Sequence, residues 1–255
     1  MFAIISDIHG NFEALNAVVN DIGSQGIDRV FCLGDVVGYG PQPAECIDLV
    51  RKMCEVCLCG NHDYALVYGA TGFNAVAADA INYHRNILMP QLGGKKRDDA
   101  PLKRWTFLKD LLFRYMEEDI LFVHGSPRNP INEYITETDV KWGLERKIHE
   151  IFSLVERICF IGHTHRPGIL NSKMEFLTTT DVNDEYQFPT DHKAVINVGS
   201  IGQPRDGDPR ACYAIVDNGV VRFRRVPYDV EAVCRKIQET GLLDESLAER
   251  LKVGK

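Results

Sequence analysis

The 255-residue sequence lacks any long uninterrupted apolar run. No stretch approaches the roughly 20 apolar residues that a membrane-spanning helix needs. The opening MFAIISDIHGNFEAL has no basic segment before its short apolar run, so no secretory signal is read there and a cytoplasmic location is expected. Positive charge is also in deficit: 29 Lys and Arg face 36 Asp and Glu, for a formal charge of −7. A nucleic-acid groove needs a basic surface, so the balance argues against extended DNA or RNA as a partner. It leaves room for a small phosphorylated ligand held through metal. There is no internal repeat and no linker, and residues 1–255 read as one α/β domain; nothing in the pattern specifies an oligomeric state.

Cysteine is not scarce. Eight cysteines without an export signal are expected to be reduced. Cys54-x-x-Cys57 has zinc-knuckle spacing, but no second pair completes four ligands. Cys57 and Cys59 alternate with Val56 and Leu58 on a predicted strand, where small core side chains are the better reading.

The first sixty residues alternate strand and helix. FAIIS (2–6), RVFCLG (29–34) and EVCLCG (55–60) are short apolar runs that end in polar loops. Between them, residues 11–24 carry Phe12, Leu15, Val18, Val19 and Ile22 at helical spacing behind an Asn11 cap, and 43–53 suits a second helix. This β-α-β-α-β order predicts a parallel, buried sheet. Helices are expected at 74–88, 102–112 and 137–156, a hairpin at 111–125 and a strand at 157–162. Residues 93–101, GGKKRDDAP, read as a charged connection whose Lys95-Lys96-Arg97 is a solvated loop or a lid over a charged substrate. The final hundred residues favour strands, with a hairpin turning at Asp217-Asn218-Gly219, then a helix from Val230 and a frayed KVGK tail.

Polar residues recur at one structural place. Asp7 and His9 follow the first strand, Asp35 the second, and Asn61, His62 and Asp63 the third; His124 follows LFV, and His163 and His165 follow FIG. Ligands of α/β sheets bind outside the carboxyl ends of the strands. Each segment alone is a common turn or helix cap; five in succession, each after an apolar run, point to a shared site. Oxygen and imidazole donors without thiolate suit Mn, Fe or Zn. Two divalent ions held by only two carboxylates, Asp7 and Asp35, would leave an excess of positive charge that attracts a phosphate ester.

The order D-x-H, GD, GNHD, H, GH-x-H over residues 7–165 resembles the calcineurin-like metallophosphoesterase superfamily, in its short bacterial and archaeal phosphodiesterase-type branch. The resemblance implies an α/β fold of two facing mixed β-sheets flanked by helices, an α-β-β-α four-layer sandwich. It implies two divalent metal ions, manganese foremost, with Fe, Zn or Ni as alternatives. Asp7, His9 and His165 would hold one ion, Asn61, His124 and His163 the other, and Asp35 would bridge them. His62 would protonate the leaving group, oriented by Asp63. The implied activity is hydrolysis of phosphodiester or phosphomonoester bonds by a metal-bridging hydroxide.

Departures narrow the branch. Where the superfamily's protein phosphatases carry GD-x-x-DRG, this chain reads GDVVGYGP, with Gly38 and Tyr39 in place of that Asp and Arg. The segment NVGSIGQPRDGDPRACYAIVD (197–217) instead resembles relatives that cleave phosphodiesters or dinucleoside polyphosphates, so a nucleotide-like substrate such as diadenosine tetraphosphate is expected. Arg205 and Arg210 are candidate phosphate contacts, unless Asp206 and Asp208 pair with them; Asn197 and Ser200 are candidate ligand contacts beside the site. Tyr39 could stack on a base or merely pack its loop. His84, His149 and His192 read as surface or helix residues. A non-catalytic scaffold on the same fold is the alternative, but such a protein should have lost ligands or His62, and here all are present.

Overall fold

The computed structural model describes residues 1–90 and 99–255. Its strands are β1 (Phe2–Ile5), β2 (Val30–Cys32), β3 (Val56–Cys57), β4 (Arg114–Glu117), β5 (Ile120–Val123), β6 (Ile158–Ile161), β7 (Gly168–Asn171), β8 (Phe176–Thr178), β9 (Glu185–Gln187), β10 (Ala194–Asn197), β11 (Ala211–Asp217) and β12 (Val220–Val226). Its helices are α1 (Phe12–Ser24), α2 (Pro43–Met53), α3 (Asn61–Tyr68), α4 (Ala75–Leu88), α5 (Asp99–Lys109), α6 (Glu137–Lys141), α7 (Glu145–Ser153), α8 (Val230–Thr240) and α9 (Ser246–Val253). The strands form two six-stranded mixed sheets, ordered β3-β2-β1-β11-β12-β9 and β4-β5-β6-β10-β7-β8.

Side-chain alternation explains why the strands are apolar throughout. In β1, Ala3 and Ile5 face the helices while Ile4 faces the other sheet; in β6, Ile158 and Phe160 face inward while Cys159 and Ile161 pack outward. The inter-sheet core is bound by stacked rings: Phe31 of β2 lies 5.0 Å from Phe122 of β5, which lies 5.6 Å from Phe160 of β6. Helices α1 and α2 cover one outer face, α6 and α7 the other, so the layers run α-β-β-α as expected.

Topology then places the site. β1, β2 and β3 are mutually parallel, as are β5, β6 and β10. Each trio therefore ends at one edge, and the two edges are tied together. After β10, Ile201 and Gly202 donate their N–H groups to the carbonyls of Ser6 and Asp7 beyond β1.

Several expectations are revised. The predicted 137–156 helix is split into α6 and α7, with Gly143 between them in the left-handed region at φ 64°. The tail is not frayed: α9 ends at a left-handed Gly254, whose carbonyl accepts the Gly207 N–H. Helix α3 (Asn61–Tyr68), unread in the sequence, follows Gly60 as its N-cap. Most of the charged 93–101 connection, including Lys95 to Arg97, lies outside the described residues. Among the described residues no helix is long and apolar enough to cross a membrane.

Phe122→Ala should lower the unfolding free energy by about 3–5 kcal/mol, because it empties the stack joining the sheets. Chemical denaturation measures it, and a loss under about 1 kcal/mol would show that the stack does not hold the layers together.

Candidate active site

Seven of the residues singled out at the strand ends meet at the shared edge. Asp7, His9, Asp35 and His165 form one group of donor atoms, and Asp35, His124 and His163 a second, with all atoms of each group within 4.8 Å of one another. His9 Nε2 lies 3.0 Å from His165 Nε2, and His124 Nε2 lies 3.2 Å from both His163 Nδ1 and Asn61 Oδ1. Asp35 joins the groups through one oxygen: its Oδ2 is 3.6 Å from His9 Nε2 and 3.4 Å from His124 Nε2. Its Oδ1 instead accepts the His62 backbone N–H at 2.8 Å.

The surroundings fix which ring nitrogens face the cluster. A carbonyl oxygen only accepts, so a ring nitrogen against one must carry the proton. His9 Nδ1 donates to Val37 O, His165 Nδ1 to Gln203 O, His124 Nδ1 to Leu33 O and His163 Nε2 to Asn132 O. The remaining nitrogen of each ring points inward, in the arrangement that backbone acceptors give to metal-ligating histidines. Burial pushes His9 and His165 down, and pushes His163 down to about 3, so these rings present bare lone pairs. Two such nitrogens 3.0 Å apart cannot bond each other; a cation between them satisfies both. For His124 burial is opposed and outweighed by the Asp35 carboxylate, which raises it to about 9. Asp7 and Asp35 are held below the usual carboxylate range despite their burial, and the protonated His124 ring acts on both. Two carboxylates, four imidazoles and an amide oxygen fit a pair of divalent ions of the Mn, Fe or Zn type.

The backbone is shaped to the same end. Asp7, His9, Asp35, His163 and His165 all have φ between 51° and 66°, a left-handed region that such side chains adopt only where the surroundings impose it. A Cβ on Gly60 would strike Asp35 Oδ1, and one on Gly162 would strike Ser6 Oγ and Asp7 Oδ2, which accounts for the glycine in GNHD and GH-x-H.

Relatives decide the family. A family model described as the calcineurin-like phosphoesterase superfamily domain matches residues 1–219. The chain belongs to that superfamily. An uncharacterized protein of Methanocaldococcus jannaschii is 35% identical over 100% of this chain and 98% of its own. The crystal structure of a metallophosphoesterase from Sphaerobacter thermophilus is also 35% identical, covering 100% of this chain and 98% of that one at a TM-score of 0.79. A symmetrical bis(5'-nucleosyl)-tetraphosphatase of Pseudomonas fluorescens is 27% identical over 48% of this chain and 40% of its own. This calcineurin-like phosphoesterase is a metal-dependent phosphoric ester hydrolase.

Four of the sequence-predicted site residues take other positions in this phosphoesterase than expected. Asp63 does not bond the His62 ring. Its carboxylate accepts the N–H groups of Asp35, Val36, Val37 and Gly60, at 2.7 to 3.2 Å, bracing the loop that carries Asp35. Asn197 and Ser200 are braces too. Asn197 Nδ2 donates to Gly162 O and Thr164 Oγ1, and Ser200 Oγ donates to Asp7 O, so their polar atoms are already engaged by the ligand loops. Arg210 is exposed and its guanidinium is held by Asp208, the outcome weighed against phosphate contact. Arg205 differs. Its side chain donates to the Gln203 amide oxygen, it makes no ion pair among the described residues, and its guanidinium lies 5.8 Å from the Tyr39 ring.

His62 is buried, with Nδ1 lacking a hydrogen-bond partner among the described residues, and burial pushes it down to about 4 against the raising influence of Asp35. Tyr39 packs its ring 4.7 Å from His9 and 4.6 Å from His62, so it walls the site. Sequence reading missed His84. It is fully buried on α4, accepts the Gly38 N–H at Nδ1 (2.9 Å) and donates from Nε2 to Gly40 O (2.6 Å), clamping the two residues that flank Tyr39. Its sequence signal was weak: one histidine on an amphipathic helix, with its partners 44 and 46 positions away.

Two outcomes follow from this geometry. At pH 7 metal uptake should release about one proton, from His124, and affinity should rise with pH toward 9, because protonated His124 competes with the ion. Calorimetry in buffers of different ionisation enthalpy reads the release; pH-independent affinity between 6 and 9 would remove His124 from the ligand set. His84→Leu should destabilise the chain by roughly 2 kcal/mol or more, since it strands a buried N–H and a buried carbonyl. A denaturation midpoint equal to wild type would end the clamp role.

Proposed function

We propose that this enzyme hydrolyses phosphodiester and phosphoanhydride bonds of nucleotide-like substrates, dinucleoside polyphosphates such as diadenosine tetraphosphate foremost. The reading includes two divalent ions, manganese first, residues 1–255 acting as one unit, and a cytoplasmic setting. The observation that carries the two-metal reading is Asp35 Oδ2, shared between two groups of donors whose free nitrogens converge. Likeness to a tetraphosphatase over part of the chain supports the nucleotide assignment, and free cysteines agree with a reducing compartment.

The chain's own residues have distinct tasks in this reading. Asp7, His9 and His165 would hold one ion, Asn61, His124 and His163 the other, and Asp35 would contribute to both. Bound ions supply charge that offsets the phosphoryl oxygens and lower the pKa of a water molecule toward neutrality. His62 stands beside this centre, its ring 4.7 Å from that of His9. As a neutral imidazole it offers one N–H to the leaving oxygen. An incoming phosphate anion favours its charged form, and the ring then delivers a full proton. Asp63 acts one step removed, holding the Asp35 loop at the geometry the ions need. Arg205 adds positive charge at the rim, where a phosphate beyond the scissile one would lie.

A reconstituted assay with Mn against mononucleotides, cyclic nucleotides, dinucleoside polyphosphates and bis(p-nitrophenyl) phosphate tests the assignment. The highest kcat/KM is expected for a dinucleoside polyphosphate, and a clear preference for simple monoesters would sink it. His62→Ala should keep both ions and lose about 10²–10⁴-fold turnover on a substrate with a poor leaving group, but much less on a p-nitrophenyl ester. Equal losses on both would show that His62 does not protonate the leaving group.

A further inference from the structure

A cavity of about 710 Å³ lies on the outer side of the second sheet, bounded by the Tyr134–Thr138 segment, strands β7 and β8, and the loop of Arg205 to Gly207. Its volume suits a ligand well beyond a single phosphate. Two of its lining residues reach the metal-ligand cluster. The Tyr134 ring is stacked on His163 at 4.0 Å, and the Arg205 backbone N–H donates to His165 O. Arg205 also acts electrostatically on His62, His165 and Tyr134, so its charge stands between the cluster and the cavity.

The lining changes character with distance from the cluster. Arg205 stands at the near end and Arg166 on the wall, and neither makes an ion pair among the described residues. Their neighbours differ: Arg210 is held by Asp208 and Arg225 by Asp206. The lining also holds Glu137 and Asp206, the latter paired with Arg225, but two guanidinium groups outside any ion pair among the described residues still suit an anionic ligand. The floor is apolar, formed by Leu170 and Val195 with Phe176 beside them, and threonines at 178–180 supply hydroxyls. The cavity is thus an apolar slot with polar edges, and its Tyr134 and Arg205 end borders the ligand loops.

We propose that this cavity holds the part of the substrate beyond the scissile phosphate: an oligophosphate that runs past Arg205 and Arg166 and ends in a flat, largely apolar group such as a nucleoside. The assignment rests on the phosphoesterase reading above but adds a demand of its own. Selectivity for long substrates resides in the cavity wall, not in the ligand cluster. A small ester such as p-nitrophenyl phosphate has no distal part to occupy the cavity.

Two variants probe it. Thr180→Trp, at an exposed position on the wall, fills the slot; Arg166→Glu reverses the charge on the path. In the Mn-loaded enzyme each should lower the ratio of kcat/KM for diadenosine tetraphosphate to that for p-nitrophenyl phosphate by about tenfold or more. An unchanged ratio in both variants overturns the proposal. Should wild type turn over p-nitrophenyl phosphate but no nucleotide, the substrate reading fails, and calorimetry with diadenosine tetraphosphate decides the cavity separately. Binding by wild type that Thr180→Trp abolishes would keep the cavity as a nucleotide site. Absent binding, or equal binding by both, would discard it.

Discussion

Everything at the working edge depends on one buried carboxylate. Asp35 sits between imidazoles of both ligand groups, and its Oδ2 is within 3.6 Å of a nitrogen from each. Buried charge without a partner is expensive, and bare lone pairs facing one another add repulsion. In the metal-free chain a protonated His124 partly relieves this, which is why Asp35 raises that ring to about 9. Divalent ions relieve it more fully, and the rest of the architecture can be read as what holds the donors together until ions arrive. Both sheets are needed, since Asp7, Asp35 and Asn61 follow strands of one and His124 and His163 strands of the other.

The bracing is done largely by residues that never face the substrate. Asp63 gathers four backbone N–H groups around the Asp35 loop. Asn197 and Ser200 pin the carbonyls of Gly162 and Asp7, and four further carbonyls set the histidine tautomers. These contacts explain how five non-glycine ligands keep left-handed backbones, which cost of order 1 kcal/mol or more each when unsupported. Strain and support belong to the same design.

The sequence showed the ligands far more clearly than their supports. Each ligand follows an apolar strand, and parallel strands end together, so pattern alone brings Asp7, Asp35, Asn61, His124 and the GH-x-H histidines to one edge. The family resemblance added the bridging role of Asp35. Hydrogen-bond direction was not legible, because it depends on contacts tens to hundreds of residues apart. Asp63 adjoins His62 in sequence, yet at the start of α3 its carboxylate accepts the Gly60 N–H and does not bond the imidazole. Arg205 and Arg210 looked equivalent until Asp208 took one of them. His84 carried no motif, because a buried histidine that serves two backbone groups has no fixed spacing from them.

The absence of an Asp63 contact changes how His62 must work. A carboxylate partner would hold the ring protonated before substrate arrives. Here burial keeps it neutral, Nδ1 has no partner among the described residues, and the raising influence is Asp35, whose charge the ions would share. A substrate phosphate is an anion that would raise it. A phosphate entering beside Arg205 supplies the anion that the fold withholds, so the ring becomes a strong donor only in the loaded site. That coupling gives a physical reason for a chain to place its imidazole next to a carboxylate in sequence and turn the two apart in space: the proton is committed when there is a leaving group to receive it.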